Sequence, residues 1–244
     1  MSARRPVGRQ GPGAHRAVAM TVIVGVAAWA VLVTGPAWAG TIKGHVRFTG
    51  PATAQKTLPV TTDQYVCGKE KDAEDLVLSQ DKGIRNAVVW LKSVPAGAKG
   101  QASSAPVPLE EKQCAFTPRV IVVPVGGTVD FLNNDRVLHN IHSQSRGNPT
   151  FNRTQPKGRA IPITFTKPEI IRIDCDLHPW MRAWVVVAEH PFYAVTGASG
   201  EFALGSLPPG PYTLTVWQET LGMVTKDVTV GEADANVVIE MGRR

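Results

Sequence analysis

Ten short runs rich in Val, Ile, Thr and aromatic residues punctuate the chain, at 41–48, 86–92, 119–125, 127–133, 161–166, 170–175, 183–189, 200–207, 212–218 and 224–230. Gly, Pro, Asn and Asp cluster between them, the pattern of strands ended by turns. After residue 39 no segment keeps an apolar period near 3.6 over ten residues. The chain is therefore read as all-β.

Residues 1–39 stand apart. Arg4, Arg5, Arg9 and Arg16 precede an apolar run from Val18 to Val33, and Ala37-Trp38-Ala39 puts small residues at both positions of a cleavage site. This is the layout of a secretory signal. The run is shorter than the ~20 apolar residues that cross a bilayer, so membrane association is expected only if the segment is kept as an anchor. Removing it takes the formal charge from +6 to +2, because four of the 26 basic residues and none of the 20 acidic ones lie there. No block of five Lys/Arg remains, which argues against nucleic-acid binding. Localisation to the periplasm, or export otherwise, is the expectation.

The stretch 94–108, VPAGAKGQASSAPVP, reads as a linker or exposed loop, and AEHPFY at 188–193 marks a second transition. They divide the remainder into 40–107, 108–189 and 190–244. The outer pieces carry Gly44-x-Val46, Ala87-x-Val89-x-Leu91, Thr196 with Gly200-x-Phe202, and Leu207-Pro208-x-Gly210-x-Tyr212. This series resembles the carboxypeptidase regulatory-like (transthyretin-like) domain, with Gly197 where that family often has Asp. The resemblance implies one small β-sandwich in two parts, 40–107 and 190–244, with the middle inserted at a surface loop.

The middle piece holds the chemistry. In IDCDLHPWMRAWVVV, residues 173–187, Cys175, His178 and Met181 recur every three residues before a valine run, with Pro179 stiffening the loop. Upstream, in VIVVPVGGTVDFLNNDRVLHNIHS, a strand ends at Asn133 and His139 follows a short loop. A mononuclear blue copper site takes two imidazole nitrogens and one thiolate near a plane, with a weak axial thioether. His139, Cys175, His178 and Met181 supply that set. A binuclear centre would need a second bridging cysteine in the loop, and structural zinc usually recruits more thiolate or imidazole.

These two stretches resemble the blue copper proteins (cupredoxins), and among them the amicyanin-like type 1 copper proteins, whose ligand loop has the same Cys-x-x-His-Pro-aromatic-Met spacing. The resemblance implies a Greek-key cupredoxin β-sandwich over 108–189 and one mononuclear copper ion held by His139, Cys175, His178 and Met181. It further implies that the backbone N–H of Asn140 reaches the thiolate, and that His178, the ligand nearest the surface, passes electrons. The expected function is one-electron transfer with a redox partner protein such as a c-type cytochrome or a dehydrogenase. Two departures stand out. Leu177 replaces a proline and keeps an N–H able to donate to the Cys175 sulfur, and EIIRID before the cysteine places Arg172 and Asp174 near the site. Trp180 fits either a docking patch or simple packing.

In an oxidising compartment, Cys67 and Cys114 pair by default; an accessory metal or free-thiol role is the alternative, although neither has a histidine nearby in sequence. His142, His45 and His190 are read as packing or surface residues. No nucleophile turn, phosphate loop or His-Glu-x-x-His pair is present. With six histidines in all, the chain lacks the further clusters that a multicopper oxidase or a nitrite reductase would require, so no enzyme is expected. Two other functions stay open: a periplasmic copper carrier or sensor, and a non-redox β-sandwich binding module.

Overall fold

The computed structural model describes residues 40–51, 54–94, 100 and 103–243. The segment 1–39 read above as a secretory signal and part of the linker stretch lie outside the described residues. Among the described residues, all regular structure is strand except one four-residue helix, Gln64–Cys67.

Strands from both ends of the chain share two sheets. Glu201–Leu207, Gly40–Phe48 and Ala235–Met241 form one, and Tyr193–Val195, Val88–Leu91, Gly210–Gln218 and Gly222–Val230 form the other. Alternation sends Ile42, Val46 and Phe48 inward to meet Leu91, Leu214 and Val216. Gly200 has φ of +80°, and a Cβ there would sit 2.4 Å from the Val46 carbonyl oxygen, so the turn before Glu201 requires glycine.

The middle of the chain builds a second pair of sheets. One orders Asn152–Gln155, His139–Gln144, Glu169–Asp174, Arg182–Ala188 and Val120–Pro124; the other orders Ala160–Thr164, Thr128–Asn133, Val107–Glu111 and Phe116–Thr117. Leu109, Val129, Phe131, Ile141, Phe165, Ile171 and Ile173 fill the space between them. The valine run explains itself here. Val185 and Val187 enter this core, while Val186, on the other face, joins Val88, Val120, Val122 and Trp217 where the two sandwiches meet. At the same contact Arg119 and Glu219 form a two-bond ion pair at 2.6 and 2.9 Å.

The short strands Thr57–Pro59 and Glu70–Asp72 pair around the helix Gln64–Cys67. Leu58, Val60, Val66 and Cys67 pack into the core of the middle strands, although sequence order groups 57–72 with the outer piece. A disulfide between Cys67 and Cys114 fixes the segment there.

Candidate metal centre

Strand pairing delivers the site. His139 opens a strand held between Asn152–Gln155 and Glu169–Asp174. Cys175 directly follows Glu169–Asp174, whose partner Arg182–Ala188 returns antiparallel with Asp174 opposite Arg182. Cys175, His178 and Met181 therefore all lie in one turn. The Met181 amide donates to the His178 carbonyl at 2.8 Å and the Cys175 amide to the Met181 carbonyl at 3.3 Å, closing that turn.

His139 Nδ1 and His178 Nδ1 are 2.9 Å apart, and Cys175 Sγ lies 4.0 and 3.6 Å from them. A triangle with those sides has a point about 2.1 Å from every corner, which matches metal–imidazole bonds and falls just inside a metal–thiolate bond of about 2.3 Å. Met181 is buried in the same apolar cluster as Cys175.

The outer ring nitrogens are committed elsewhere. His139 Nε2 is 2.9 Å from Asp135 Oδ2, and His178 Nε2 is 3.0 Å from Asp63 Oδ2. Carboxylates accept, so each Nε2 carries the hydrogen and each Nδ1 turns a lone pair towards the other. Two lone pairs facing at 2.9 Å call for a cation between them, a shared proton or a metal ion.

Burial pushes His139 below the ordinary imidazole value, outweighing the opposite pull of its bond to Asp135. The ring is thus a neutral donor near neutral pH. Burial pushes the Cys175 thiol up, with Glu111 adding to the effect, while the amides of Asn140, His178 and Leu177 pull it down. Thiolate formation is accordingly coupled to the arrival of a positive charge.

Asn140 contributes more through its side chain than the resemblance implied. Its Oδ1 accepts from the amides of Asp176 at 2.8 Å and Leu177 at 3.3 Å and from the Cys175 thiol at 3.3 Å, while Nδ2 donates to Asn152 Oδ1 and Asp176 Oδ2. The Leu177 amide is therefore directed to Asn140, with its dipole still favouring a charged sulfur.

One expectation changes and one open alternative is decided. His178 is not the exposed ligand: it is 0% exposed, covered on its Nε2 edge by Asp63. Trp180 is packing, since its Nε1 donates to the Cys114 carbonyl at 3.0 Å and its ring lies 5.2 Å from that of His178. Arg172 and Arg182 both pair with Asp174, along the strands rather than at the donors. His142 bonds Asp176, His190 bonds the Leu91 carbonyl and His45 is exposed. Sequence reasoning missed Asp135, Asp63 and Glu111; of these only Asp135, one turn of loop before His139, left a local trace.

Similarity to solved structures is partial. A copper-containing nitrite reductase from Thermus scotoductus aligns over 41% of this chain and 26% of its own at 30% identity, with a TM-score of 0.34. A purple cupredoxin from Nitrosopumilus maritimus aligns over 34% of this chain and 99% of its own at 24% identity and 0.30. A reduced Cu(I) form of an amicyanin variant aligns over 41% and 98% at 23% identity and 0.33. The chain thus spans about a quarter of the nitrite reductase it matches. No protein-family model and no curated protein matches.

Proposed function

We propose that this chain is an exported type 1 copper protein that holds one mononuclear copper ion and works in one-electron transfer, without catalysing a reaction of its own. The observation that carries this reading is the donor triangle: two imidazole Nδ1 atoms and one thiol sulfur around a common point, with both Nε2 atoms already bonded to carboxylates. Copper bound there supplies a reversible one-electron couple. Cys175 would hold the ion through a thiolate, His139 and His178 through their Nδ1 atoms, and Met181 through its thioether. Asn140 holds the loop in place. A redox protein such as a c-type cytochrome or a dehydrogenase is the expected partner.

The outer strands form the binding or scaffolding part of the same exported protein, a transthyretin-like sandwich drawn from 40–107 and 190–244 with the cupredoxin piece 108–189 inserted and the segment 57–72 packed against that piece. The matched turn residues and the pairing of Gly40–Phe48 with both Glu201–Leu207 and Ala235–Met241 support that reading.

Visible and EPR spectra of the full chain with one equivalent of Cu(II), beside a Cys175→Ala control, test the proposal. An intense blue charge-transfer band with narrow copper hyperfine splitting, both lost in the control, is expected. Ordinary square-planar copper signals that survive the substitution would refute it. The burial of His178 favours a second reading, a copper carrier, because no ligand edge reaches solvent. Slow electron self-exchange together with ready release of Cu(I) would select the carrier.

A further inference from the structure

We infer that Asp63 is a positioning residue for the metal site: it fixes the His178 ring through Nε2, closes that edge of the ring, and biases the site towards the more highly charged copper state. The inference rests on the copper reading above and adds a residue outside the donor loop.

Three observations converge on Asp63. Its Oδ2 lies 3.0 Å from His178 Nε2, 115 residues away in sequence. It precedes the helix Gln64–Cys67 in the capping position, where an aspartate usually accepts from helix amides, yet its side chain makes no such bond. Its backbone is left-handed, φ 50° and ψ 32°, a conformation uncommon for a residue with a Cβ and concentrated at functional sites. A carboxylate in a strained position that forgoes its local partner and reaches a ring instead is placed for that ring.

The disulfide explains how the placement is held. Cys67, at the end of Asp63's own helix, is bonded to Cys114. The Cys114 amide donates to Asp135 Oδ2 at 2.7 Å, and Asp135 Oδ2 also meets His139 Nε2. Trp180, whose ring lies tilted 5.2 Å from that of His178, donates to the Cys114 carbonyl. One cross-link thus ties together the carboxylates behind both histidines. Each carboxylate orients its imidazole with Nδ1 inward, and such outer partners commonly change metal affinity by about 10–100-fold. A negative charge one hydrogen bond behind a ligand stabilises Cu(II) more than Cu(I).

The test compares the full chain with Asp63→Asn and Asp63→Ala, each with its disulfide verified by a count of one free thiol. In metal-free protein, long-range proton–nitrogen NMR reports which nitrogen of His178 carries the hydrogen. Competition with chelators gives the Cu(II) and Cu(I) affinities separately. Expected in the parent is Nε2–H. Asp63→Asn, which keeps an acceptor and loses the charge, retains that tautomer while the Cu(II)/Cu(I) affinity ratio falls about tenfold, a rise of about 59 mV in potential. Asp63→Ala mixes the tautomers and weakens Cu(II) binding about 10–100-fold. Unchanged tautomer and affinity ratio in Asp63→Ala, or a bare Nε2 in the parent, would overturn the inference. A parent chain that shows Nε2–H but binds no copper would sink the copper reading while the tautomer comparison still upholds the positioning role.

Discussion

Replacing Glu111 with glutamine should stabilise the metal-free protein in alkaline solution and leave it nearly unchanged in acid. Glu111 ends the strand Val107–Glu111, where Leu109 and Glu111 both face inward. It is 0% exposed, and neither carboxyl oxygen has a hydrogen-bond partner among the described residues. Burial, and secondarily the charge of Asp135, raise its pKa from 4.5 to about 8. The folded state therefore holds a proton that the unfolded chain releases near pH 4.5. Relative stability is full below that value, declines as pH rises, and levels off above about 8. At 1.36 kcal/mol per pH unit the whole window corresponds to about 5 kcal/mol. Glutamine cannot ionise, so its own burial cost is the same at every pH and cancels from the slope. Urea unfolding of both proteins at pH 5, 6.5 and 8 should show the stability difference growing by several kcal/mol in favour of Glu111→Gln. A difference constant across that range would refute the assignment of a buried, unpartnered acid. Because Glu111 also raises the Cys175 thiol, the same substitution should lower the pH at which the ultraviolet absorbance of the Cys175 thiolate appears in the folded, metal-free protein.

Three further outcomes are expected. Glu219→Ala leaves Arg119 buried without its partner where the sandwiches meet and should cost about 3–5 kcal/mol, read from the denaturation midpoint; a loss below 1 kcal/mol would show that the ion pair is not needed. Burial alone would raise Glu169, but the Arg146 amide, the Ser145 hydroxyl, Asn148 and the Gly147 amide overcome it and hold the group at about 2. Its stabilisation of the 145–148 loop is therefore complete above pH 4.5 and lost as pH falls through 2, and amide-exchange protection at 146–148 should fall over that window in the parent and be low throughout in Glu169→Gln. Reducing the Cys67–Cys114 bond reopens a separation of 47 residues and should cost about 4 kcal/mol, with the thiol count rising from one to three.

What the sequence disclosed follows the range of the interactions involved. Strands such as Thr128–Asn133, with strictly alternating burial, announce themselves because a period of two is written in adjacent residues. The donor loop is legible for the same reason: Cys175, His178 and Met181 occupy one turn, and their residue types carry the chemistry whatever surrounds them. Val107–Glu111 was hidden by a Pro-rich approach and by a glutamate in a core position, and Asn152–Gln155 by being polar, with three of its four residues exposed. Each is a strand because a neighbour makes it one: Val107–Glu111 lies parallel to Thr128–Asn133, and Asn152–Gln155 pairs with the strand of His139. Asp63 is harder still, since an ordinary surface aspartate looks the same in sequence and it reaches His178 only because the Cys67–Cys114 link and the packing of Leu58, Val60 and Val66 hold its segment against the middle core. The division has a chemical consequence. The identity of the donors is local and readable; of the two carboxylates behind them, Asp135 lies four residues from its histidine while Asp63 comes from 115 residues away. On the copper reading proposed above, chains sharing the same Cys-x-x-His-x-x-Met loop should differ in potential, with Asp63 the residue that sets this one apart.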